Sequence, residues 1–187
     1  MQPYLFVVMW SAWGVYWLIS ARGIKVTVRR ESRLSRWAHF GPLILCAWLL
    51  SNSGDRWPPL NAPFIVRSRT TFWIAAASTA AGLLFTVWAR SHLGRNWSGS
   101  VTIKADHELI TSGPYRLARH PIYTGLLTAF AGSALAVGEV RGLLAFAIAC
   151  AALWRKLRLE ERFMREQFGT AYADYSQRVA AIVPFLL

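Results

Sequence analysis

The residues best suited to chemistry are concentrated in one short stretch, 113–125, which reads GPYRLARHPIYTG. It places two arginines, a histidine and two tyrosines close together at the start of an apolar segment. The order His120-Pro121 predicts a helix start at Pro121, because a residue before proline is biased away from α geometry and proline fits the first helical turn. A helix N-terminus attracts anions, so this stretch is predicted either to hold an anionic ligand group or to contact lipid headgroups as a basic turn.

A second chemical candidate is Glu160, which belongs to the last predicted helix. On a helical wheel with about 100° per residue, Glu160 falls within the apolar stripe of that helix. The stripe consists of Leu153, Leu157, Met164 and Phe168. Lys156 lies one turn before Glu160 at one edge, and Glu161 lies at the other edge. A carboxylate among apolar side chains needs a polar partner, so Glu160 is predicted to hold a polar ligand or to form an ion pair with Lys156 or Arg119.

The composition predicts a membrane protein. Apolar residues make up 55% of the chain, which includes ten tryptophans, and apolar stretches of about 14–20 residues recur, close to the length of a bilayer span. The net charge is +12, and the basic residues lie between these stretches. This placement favours anionic headgroups over nucleic acid as the partner. Cys46 and Cys150 stand inside apolar runs without metal-ligand spacing, and are predicted to be small buried hydrophobic residues.

Five apolar segments predict an all-α, polytopic integral membrane protein with about five transmembrane helices and one domain over residues 1–187. The segments are 3–20, 37–51, 71–89, 121–138 and 142–154. The third contains alanines and glycines that suit close helix packing in lipid. The fifth helix continues to Phe168, where Gly169 is a plausible C-cap. Residues 90–120 form a long polar loop in which no confident strand is predicted.

The basic residues predict the orientation in the membrane. In a five-span arrangement, residues 21–36, 90–120 and 155–187 lie on one side and carry 17 of the 21 lysines and arginines. The positive-inside rule therefore predicts an outside N-terminus and a cytoplasmic C-terminus. The stretch 113–125 and the pair Glu160-Glu161 then lie on the same cytoplasmic side.

Taken together, these motifs resemble the isoprenylcysteine carboxyl methyltransferase family. That family belongs to a wider group of membrane methyltransferases that includes phospholipid N-methyltransferases. The resemblance is carried, in order, by LGRNWS, HELITSGPY, GPYRLARHPIYTG, EERFMREQFGTAYADYSQRV and a terminal IVPF. It covers roughly residues 90–187, the predicted methyltransferase core, whereas the N-terminal spans in residues 1–89 share only membrane character.

The resemblance implies S-adenosylmethionine as methyl donor, bound on the cytosolic side between the stretch 113–125 and the last helix. The cofactor-binding residues that it implies are His107, Glu108, Leu109, Ile110, Tyr115, His120, Pro121, Ile122, Tyr123 and Glu160. The catalytic candidates are Lys156 and Arg119. Lys156 stands where the family has a substrate-facing arginine, and lysine lacks the planar bidentate grip of arginine. The prenylated-protein substrate of the family is therefore not carried over directly.

Two other functions fit the same pattern. A sterol-type reductase on a related membrane fold would use a nicotinamide cofactor, and a non-enzymatic membrane adaptor would bind no cofactor. The predicted partners are a lipophilic or lipid-linked substrate entering from the bilayer and the membrane itself, with no nucleic acid, in a bacterial-type inner membrane. The acceptor atom, which is oxygen, nitrogen or sulfur, and the oligomeric state stay open at this point.

Overall fold

Five α-helices make up most of the chain that the structure describes. The computed structural model describes residues 4–22, 27–30, 32–51, 58–97, 102–104 and 108–183. The helices are α1 (Tyr4–Ser20), α2 (Arg33–Ser51), α3 (Arg69–Leu93), α4 (Pro121–Val137) and α5 (Val140–Arg178). Short 3₁₀ turns occupy Pro58–Asn61, Gly94–Asn96 and Gly113–Arg116. Each of the five predicted apolar segments forms a helix, so the helical fold class is confirmed.

One small antiparallel sheet joins the two basic loops. Strand β1 (Thr27–Arg30) pairs with strand β2 (Thr102–Lys104), with Thr27 opposite Lys104. The sequence predicts no confident strand in residues 90–120, and this prediction is wrong at β2. The segment is too short to give a clear alternating pattern, and its hydrogen-bonding partner lies far away along the chain.

Helices α3 and α4 pack with their backbones in close contact. A Cβ atom added at Gly82 would lie 2.5 Å from the carbonyl oxygen of Gly125, and one added at Gly125 would lie 2.6 Å from that of Gly82. A Cβ at Gly132 would lie 2.5 Å from Thr79 Oγ1. The predicted close packing of small residues is therefore confirmed, and it fixes the start of α4 relative to α3.

Helix α5 is interrupted at Gly169. This residue has φ 52° and ψ −122°, a conformation that glycine adopts readily, and helical geometry resumes after it as far as Arg178. The predicted C-cap thus ends the first part of α5 but not the helical structure. We call residues 170–182 the terminal segment. It returns to the start of α4, where the backbone N–H of Arg119 donates to the carbonyl oxygen of Ala180 at 2.8 Å.

The helices are apolar on their outer faces. Among the described residues, Arg69–Asn96 is the one helical stretch long and apolar enough to cross a membrane, and Tyr4–Ser20 and Pro121–Val137 are apolar but shorter. Large apolar side chains are exposed on α1, α2, α3 and α5, among them Val7, Leu18, Trp48, Ile74, Leu84 and Trp154. An apolar surface of this extent is typical of an interaction with lipid or protein.

Candidate active site

A cavity of about 440 Å³ lies between all five helices, a volume typical of small-molecule pockets. Both catalytic candidates, Arg119 and Lys156, line it. So do nine of the ten predicted cofactor-binding residues, namely Glu108, Leu109, Ile110, Tyr115, His120, Pro121, Ile122, Tyr123 and Glu160. The tenth, His107, lies outside the described residues. The fold therefore brings residues of both sequence motifs to one cavity.

The predicted helix start at Pro121 is confirmed, and it sets the position of His120. Pro121 is in the first turn of α4, and His120 is the N-cap residue with φ −121° and ψ 61°. The His120 carbonyl accepts hydrogen bonds from the backbone N–H groups of Tyr123 at 2.9 Å and Thr124 at 3.1 Å. These bonds fix the backbone of His120 at the start of α4, and its side chain lines the cavity.

Glu160 presents its carboxylate to the cavity. The Tyr123 hydroxyl donates to Glu160 Oε1 at 2.5 Å, and His120 Nδ1 lies 3.4 Å from Oε2. Lys156 Nζ lies 4.0 Å from Oε1, so the predicted pair of Glu160 with Lys156 is present. Arg119 was the other predicted partner, but its guanidinium contacts Glu161 instead. The Glu160 side chain keeps 22% of its surface exposed, which leaves it accessible to a ligand.

Glu161 is the more deeply buried of the two carboxylates, with 5% of its surface exposed. The helical wheel placed it at the edge of the buried stripe, and this expectation is wrong. Its carboxylate accepts hydrogen bonds from His120 Nε2 at 2.9 Å, Arg119 Nε at 3.0 Å, Tyr172 Oη at 2.7 Å and Arg165 Nη2 at 3.2 Å. Burial alone would raise the pKa of this carboxyl, but the bonds from His120, Arg119 and Tyr172 outweigh it and lower the pKa to about 2.

His120 lies between the two glutamates. Its Nε2 faces Glu161 and its Nδ1 faces Glu160. An ionised carboxylate only accepts hydrogen bonds, so both ring nitrogens must carry a proton to satisfy both neighbours. Burial alone would lower the pKa of His120, but the two carboxylates raise it above its ordinary value. The geometry therefore favours an imidazolium cation held between two anions.

Arg119 ties the terminal segment to this cluster. Besides its bond to Glu161, its Nη1 donates to the carbonyl oxygens of Ser176, at 2.9 Å, and Val179. The backbone of His120 adds a bond to the carbonyl of Ala181 at 2.9 Å. Because the guanidinium is already held by a carboxylate and two carbonyls, its geometry suits a positioning role.

The cavity has two chemically different walls. We call its charged and tyrosine residues the polar wall: Glu108, Tyr115, Arg119, His120, Tyr123, Lys156, Glu160, Tyr172 and Tyr175. We call the apolar and aromatic lining residues from α1, from the residue directly after it and from α2 the apolar wall: Trp13, Trp17, Leu18, Ala21, Phe40 and Leu43. Lys156 lies where the walls meet, with Nζ 5.5 Å from the ring centre of Tyr123 and 5.9 Å from that of Phe40.

Several lining residues were not predicted as site residues. Asn96, Tyr172 and Tyr175 belong to the motifs LGRNWS and FGTAYADY, so the resemblance contained a signal for them. His39 of α2 is a further lining residue that is absent from the predicted site. It is 1% exposed, lines the cavity, and its Nδ1 lies 3.2 Å from Arg155 Nη1. A lone histidine in an apolar helix gives no sequence signal for that position.

Comparison with known proteins agrees with this arrangement. The pattern of the phospholipid methyltransferase family (PEMT) matches residues 70–171, which is more than half of the chain. The chain belongs to the phospholipid methyltransferase family. The matched region begins in α3 and ends just after Gly169, so it contains most of the polar wall and none of the apolar wall.

Individual relatives match about half of the chain or somewhat more. Protein-S-isoprenylcysteine O-methyltransferase B of Arabidopsis thaliana is 32% identical over 99 residues, which cover 50% of this chain and 49% of that protein. The cobalt-zinc-cadmium resistance protein CzcN of Cupriavidus metallidurans is 33% identical over 120 residues, covering 61% of this chain and 52% of that protein. The chain thus spans about half the length of the curated relatives it matches. The resemblance to isoprenylcysteine methyltransferases is confirmed.

A solved structure shares the fold. The eukaryotic intramembrane Ras methyltransferase ICMT (isoprenylcysteine carboxyl methyltransferase) superposes with a TM-score of 0.60 at 22% identity. The superposition covers 84% of this chain and 55% of that one. At this level of identity the similarity shows a common fold. Because it extends over most of the chain, it includes helices outside the region matched by the family pattern.

Proposed function

We propose that the protein is an integral membrane methyltransferase that uses S-adenosylmethionine and acts on a lipophilic acceptor. One observation carries this proposal: nine residues implied for the cofactor, drawn from two motifs far apart in the chain, line a single cavity with an adjoining apolar wall. Membership of the phospholipid methyltransferase family supports the reaction class. The names of the isoprenylcysteine methyltransferase relatives and the shared fold support a membrane-associated acceptor.

The cavity suits S-adenosylmethionine in both size and charge. Its volume of about 440 Å³ is sufficient for a ligand of this class. Glu160 offers a carboxylate to a cationic group, and the rings of Tyr115 and Tyr123 offer aromatic surfaces to adenine or a sulfonium. When bound there, S-adenosylmethionine supplies an electrophilic methyl group. The chain supplies the position of the ligand and the exclusion of water from it.

The neighbours of Glu160 orient it in advance. The Tyr123 hydroxyl and His120 Nδ1 hold its two oxygens, so little rearrangement is needed when a cationic group binds. His120 is itself engaged by a carboxylate on each ring nitrogen. We therefore assign His120 and Tyr123 the role of orienting Glu160, and Glu160 the direct contact with the cofactor.

The two catalytic candidates receive different roles. Arg119 is assigned a positioning role, because its guanidinium is already bound to Glu161 and to carbonyls of the terminal segment. Lys156 is assigned the contact with the acceptor, because it lies between the polar wall and the apolar wall. An ammonium is a point charge with three donors, so it suits a phosphate or carboxylate without the bidentate geometry of arginine.

The apolar wall supports a lipophilic acceptor. Tryptophan, phenylalanine and leucine side chains from α1 and α2 line that part of the cavity, and they present few polar groups to a ligand. The outer faces of the same helices expose large apolar side chains, including Val7 and Trp48. A substrate that enters from the bilayer would therefore meet apolar surface along its path, and its reacting group would meet Lys156.

We propose the five-span topology with an outside N-terminus and a cytosolic C-terminus. The distribution of lysine and arginine supports it, because basic residues concentrate in the segments that five spans place on one side. Reporter fusions at positions 60, 105 and 187 are expected to read outside, inside and inside. A cytosolic signal at position 60 would overturn the five-span arrangement. The bacterial-type inner membrane stays a prediction.

The function is tested in two steps with the full chain in detergent. Calorimetric titration measures binding of S-adenosylmethionine, with a reduced nicotinamide cofactor as the competing candidate. Transfer of labelled methyl groups is then measured on a lipid extract reconstituted with the protein, and on the same extract with the Glu160→Gln variant. Binding of S-adenosylmethionine and label in an organic-soluble product support the proposal. Binding of the nicotinamide cofactor without binding of S-adenosylmethionine would favour the reductase. Binding of neither cofactor would favour the adaptor.

A further inference from the structure

Glu161 takes no direct part in the proposed binding site, although it joins several parts of the molecule. It lies behind His120 and Tyr172, and both of those side chains line the cavity. Its Oε1 accepts from Arg119, His120 and Tyr172, and its Oε2 accepts from Arg165. Three of these four donors converge on Oε1, so the carboxylate is engaged chiefly in holding its protein neighbours.

The terminal segment covers one side of the cavity. Tyr172 and Tyr175 both line it, and both use their hydroxyls to attach the segment to the rest of the protein. The Tyr172 hydroxyl donates to Glu161 at 2.7 Å, and the Tyr175 hydroxyl donates to the backbone oxygen of Tyr115 at 2.6 Å. The Tyr172 bond is charge-assisted because its acceptor is ionised, and such bonds are roughly twice as strong as neutral ones.

The segment begins at a position that permits rotation. Gly169 has φ 52°, and no atom lies within 4 Å of a Cβ added there. Its backbone conformation is therefore not enforced by close packing, and glycine lets φ and ψ change at low cost. Hinges of this kind, a single residue at the end of an element, are common where a segment opens over a ligand.

We infer that Glu161 is a positioning residue: it fastens the terminal segment over the cavity through Tyr172 and orients the His120 ring towards Glu160. This inference rests on the proposed function, because it assigns the covered cavity to S-adenosylmethionine. Glu160 contacts the ligand, and Glu161 determines how long the cover stays closed. Release of the ligand then requires the bond between Tyr172 and Glu161 to break, together with the bonds from Arg119 and the His120 backbone to the segment, before the segment turns about Gly169.

Two matched variants test the fastening. Tyr172→Phe and Tyr175→Phe each remove one hydroxyl from the same segment and leave the ring in place. Because the Tyr172 bond goes to a charged group, its loss is expected to raise the dissociation rate of S-adenosylmethionine about tenfold, against about threefold for Tyr175→Phe. Stopped-flow displacement by excess unlabelled ligand measures both rates. An equal or larger effect at Tyr175 would overturn the role of Glu161.

A double-variant experiment shows whether Tyr172 acts through Glu161. In a Glu161→Gln background the acceptor is neutral, so Tyr172→Phe is expected to change the dissociation rate by about threefold or less. Tyr175→Phe is expected to keep its own factor in that background, because its acceptor is a backbone oxygen. A tenfold effect of Tyr172→Phe in both backgrounds would overturn the inference. If Glu161→Gln does not fold, the comparison of the two single variants decides.

Hydrogen exchange separates this inference from the proposed function. Tyr172→Phe is expected to speed exchange of the amides in the terminal segment by about tenfold, while peptides of α3 and α4 keep their wild-type rates. This measurement needs no ligand and no acceptor. If the wild-type protein binds no S-adenosylmethionine, the proposed function fails and the exchange result still decides the fastening. If it binds the ligand but exchange in the segment is unchanged by Tyr172→Phe, the fastening fails alone.

Discussion

The two walls of the cavity are built by different kinds of interaction. On the polar wall, directional bonds hold most of the charged side chains; His120, for example, faces a carboxylate on each ring nitrogen. On the apolar wall, Trp13 donates to Thr86 Oγ1 at 2.6 Å, away from the ligand space, and Phe40 keeps 41% of its surface exposed. The polar wall therefore specifies charge and hydrogen-bond pattern, whereas the apolar wall specifies little more than shape.

This difference suggests a division of labour between a constant ligand and a variable one. A polar cluster whose donors and acceptors are mostly paired with one another tolerates few alternative ligands, because a mismatch leaves a buried polar group unpaired. An apolar surface discriminates weakly, by about 1–3 kcal/mol for each methylene group. The family pattern matches residues 70–171 and so contains most of the polar wall without α1 and α2. A shared cofactor on the polar wall and an acceptor on the apolar wall fit this distribution.

The largest expected effect is a loss of stability on removing the Arg119 guanidinium, which makes several of the bonds of the polar wall. Arg119→Gln removes the guanidinium from Glu161, which would leave a buried carboxylate without one of its two buried cationic partners. Breaking a buried pair in this way costs about 3–5 kcal/mol, so the free energy of unfolding in detergent should fall by a comparable amount. Thermal or denaturant unfolding of the purified variant measures the loss. A loss below about 1 kcal/mol would mean that Arg119 does not hold the cluster together.

The next effect concerns binding and not stability. Glu160→Gln keeps the shape of the side chain but removes the charge that the polar wall presents to the cavity. Losing a charge-assisted bond to a cation typically costs about 1.5–3 kcal/mol, so the dissociation constant of S-adenosylmethionine should rise by roughly 10- to 150-fold. Glu166→Gln on the exposed side of α5 is the matched control. Unchanged affinity in Glu160→Gln would remove this residue from the site.

The neighbouring pair Glu160 and Glu161 shows how far the sequence predicts the site. The wheel correctly turned Glu160 inward, because it compares one residue with the apolar stripe of its own helix. It misplaced Glu161, because α5 has a second buried face that exists only once the terminal segment folds back beyond Gly169. The terminal segment is held in this position by bonds to Arg119, a residue far from it in the sequence. Single-helix periodicity contains no information about it.

Other features of the protein also divide into those set by the local sequence and those set by contacts between distant segments. The helix start at Pro121 was predictable because local stereochemistry determines it. The role of Phe40 was not, because it depends on how α2 packs beside α5, which local pattern does not encode. The strand at Thr102–Lys104 was missed for the same reason, since its partner is a distant loop. Motif resemblance located the polar wall, and it gave no signal for the apolar wall.

Lys156 lies where the two walls meet, so its removal should affect the acceptor more than the cofactor. We expect Lys156→Ala to lower turnover about tenfold, the value of one charge-assisted bond, while the affinity for S-adenosylmethionine changes by less than about threefold. Arg158→Ala, on the exposed face of α5, is the control. A collapse of cofactor affinity with normal turnover of the bound complex would place Lys156 in the cofactor site instead.

A smaller effect is expected from the apolar wall itself. Phe40→Ala removes an aromatic surface that is only partly buried, worth about 1 kcal/mol of apolar contact, so the KM for a lipophilic acceptor should rise about fivefold. Cofactor affinity should not change. Trp48→Ala on the same helix is the control, because Trp48 is similarly exposed and is not among the described lining residues. An equal effect of both variants would mean that α2 contributes only to the general stability of the bundle.

The smallest expected effect on stability comes from Arg165, the other arginine that contacts Glu161. It shows whether burial determines the strength of these ion pairs. Arg165 and Arg119 both donate to this carboxylate, at 3.2 and 3.0 Å. Their side chains differ in environment: Arg165 is 62% exposed and Arg119 is 11% exposed. Solvent screens an exposed ion pair, which contributes about 0–1 kcal/mol to stability. Arg165→Gln should therefore lower the free energy of unfolding by less than about 1 kcal/mol. The dissociation rate of the ligand should not change. If Arg165→Gln instead matched Arg119→Gln, the number of charges around Glu161 would matter more than their burial. The polar wall would then be held by net charge and not by its directional bonds.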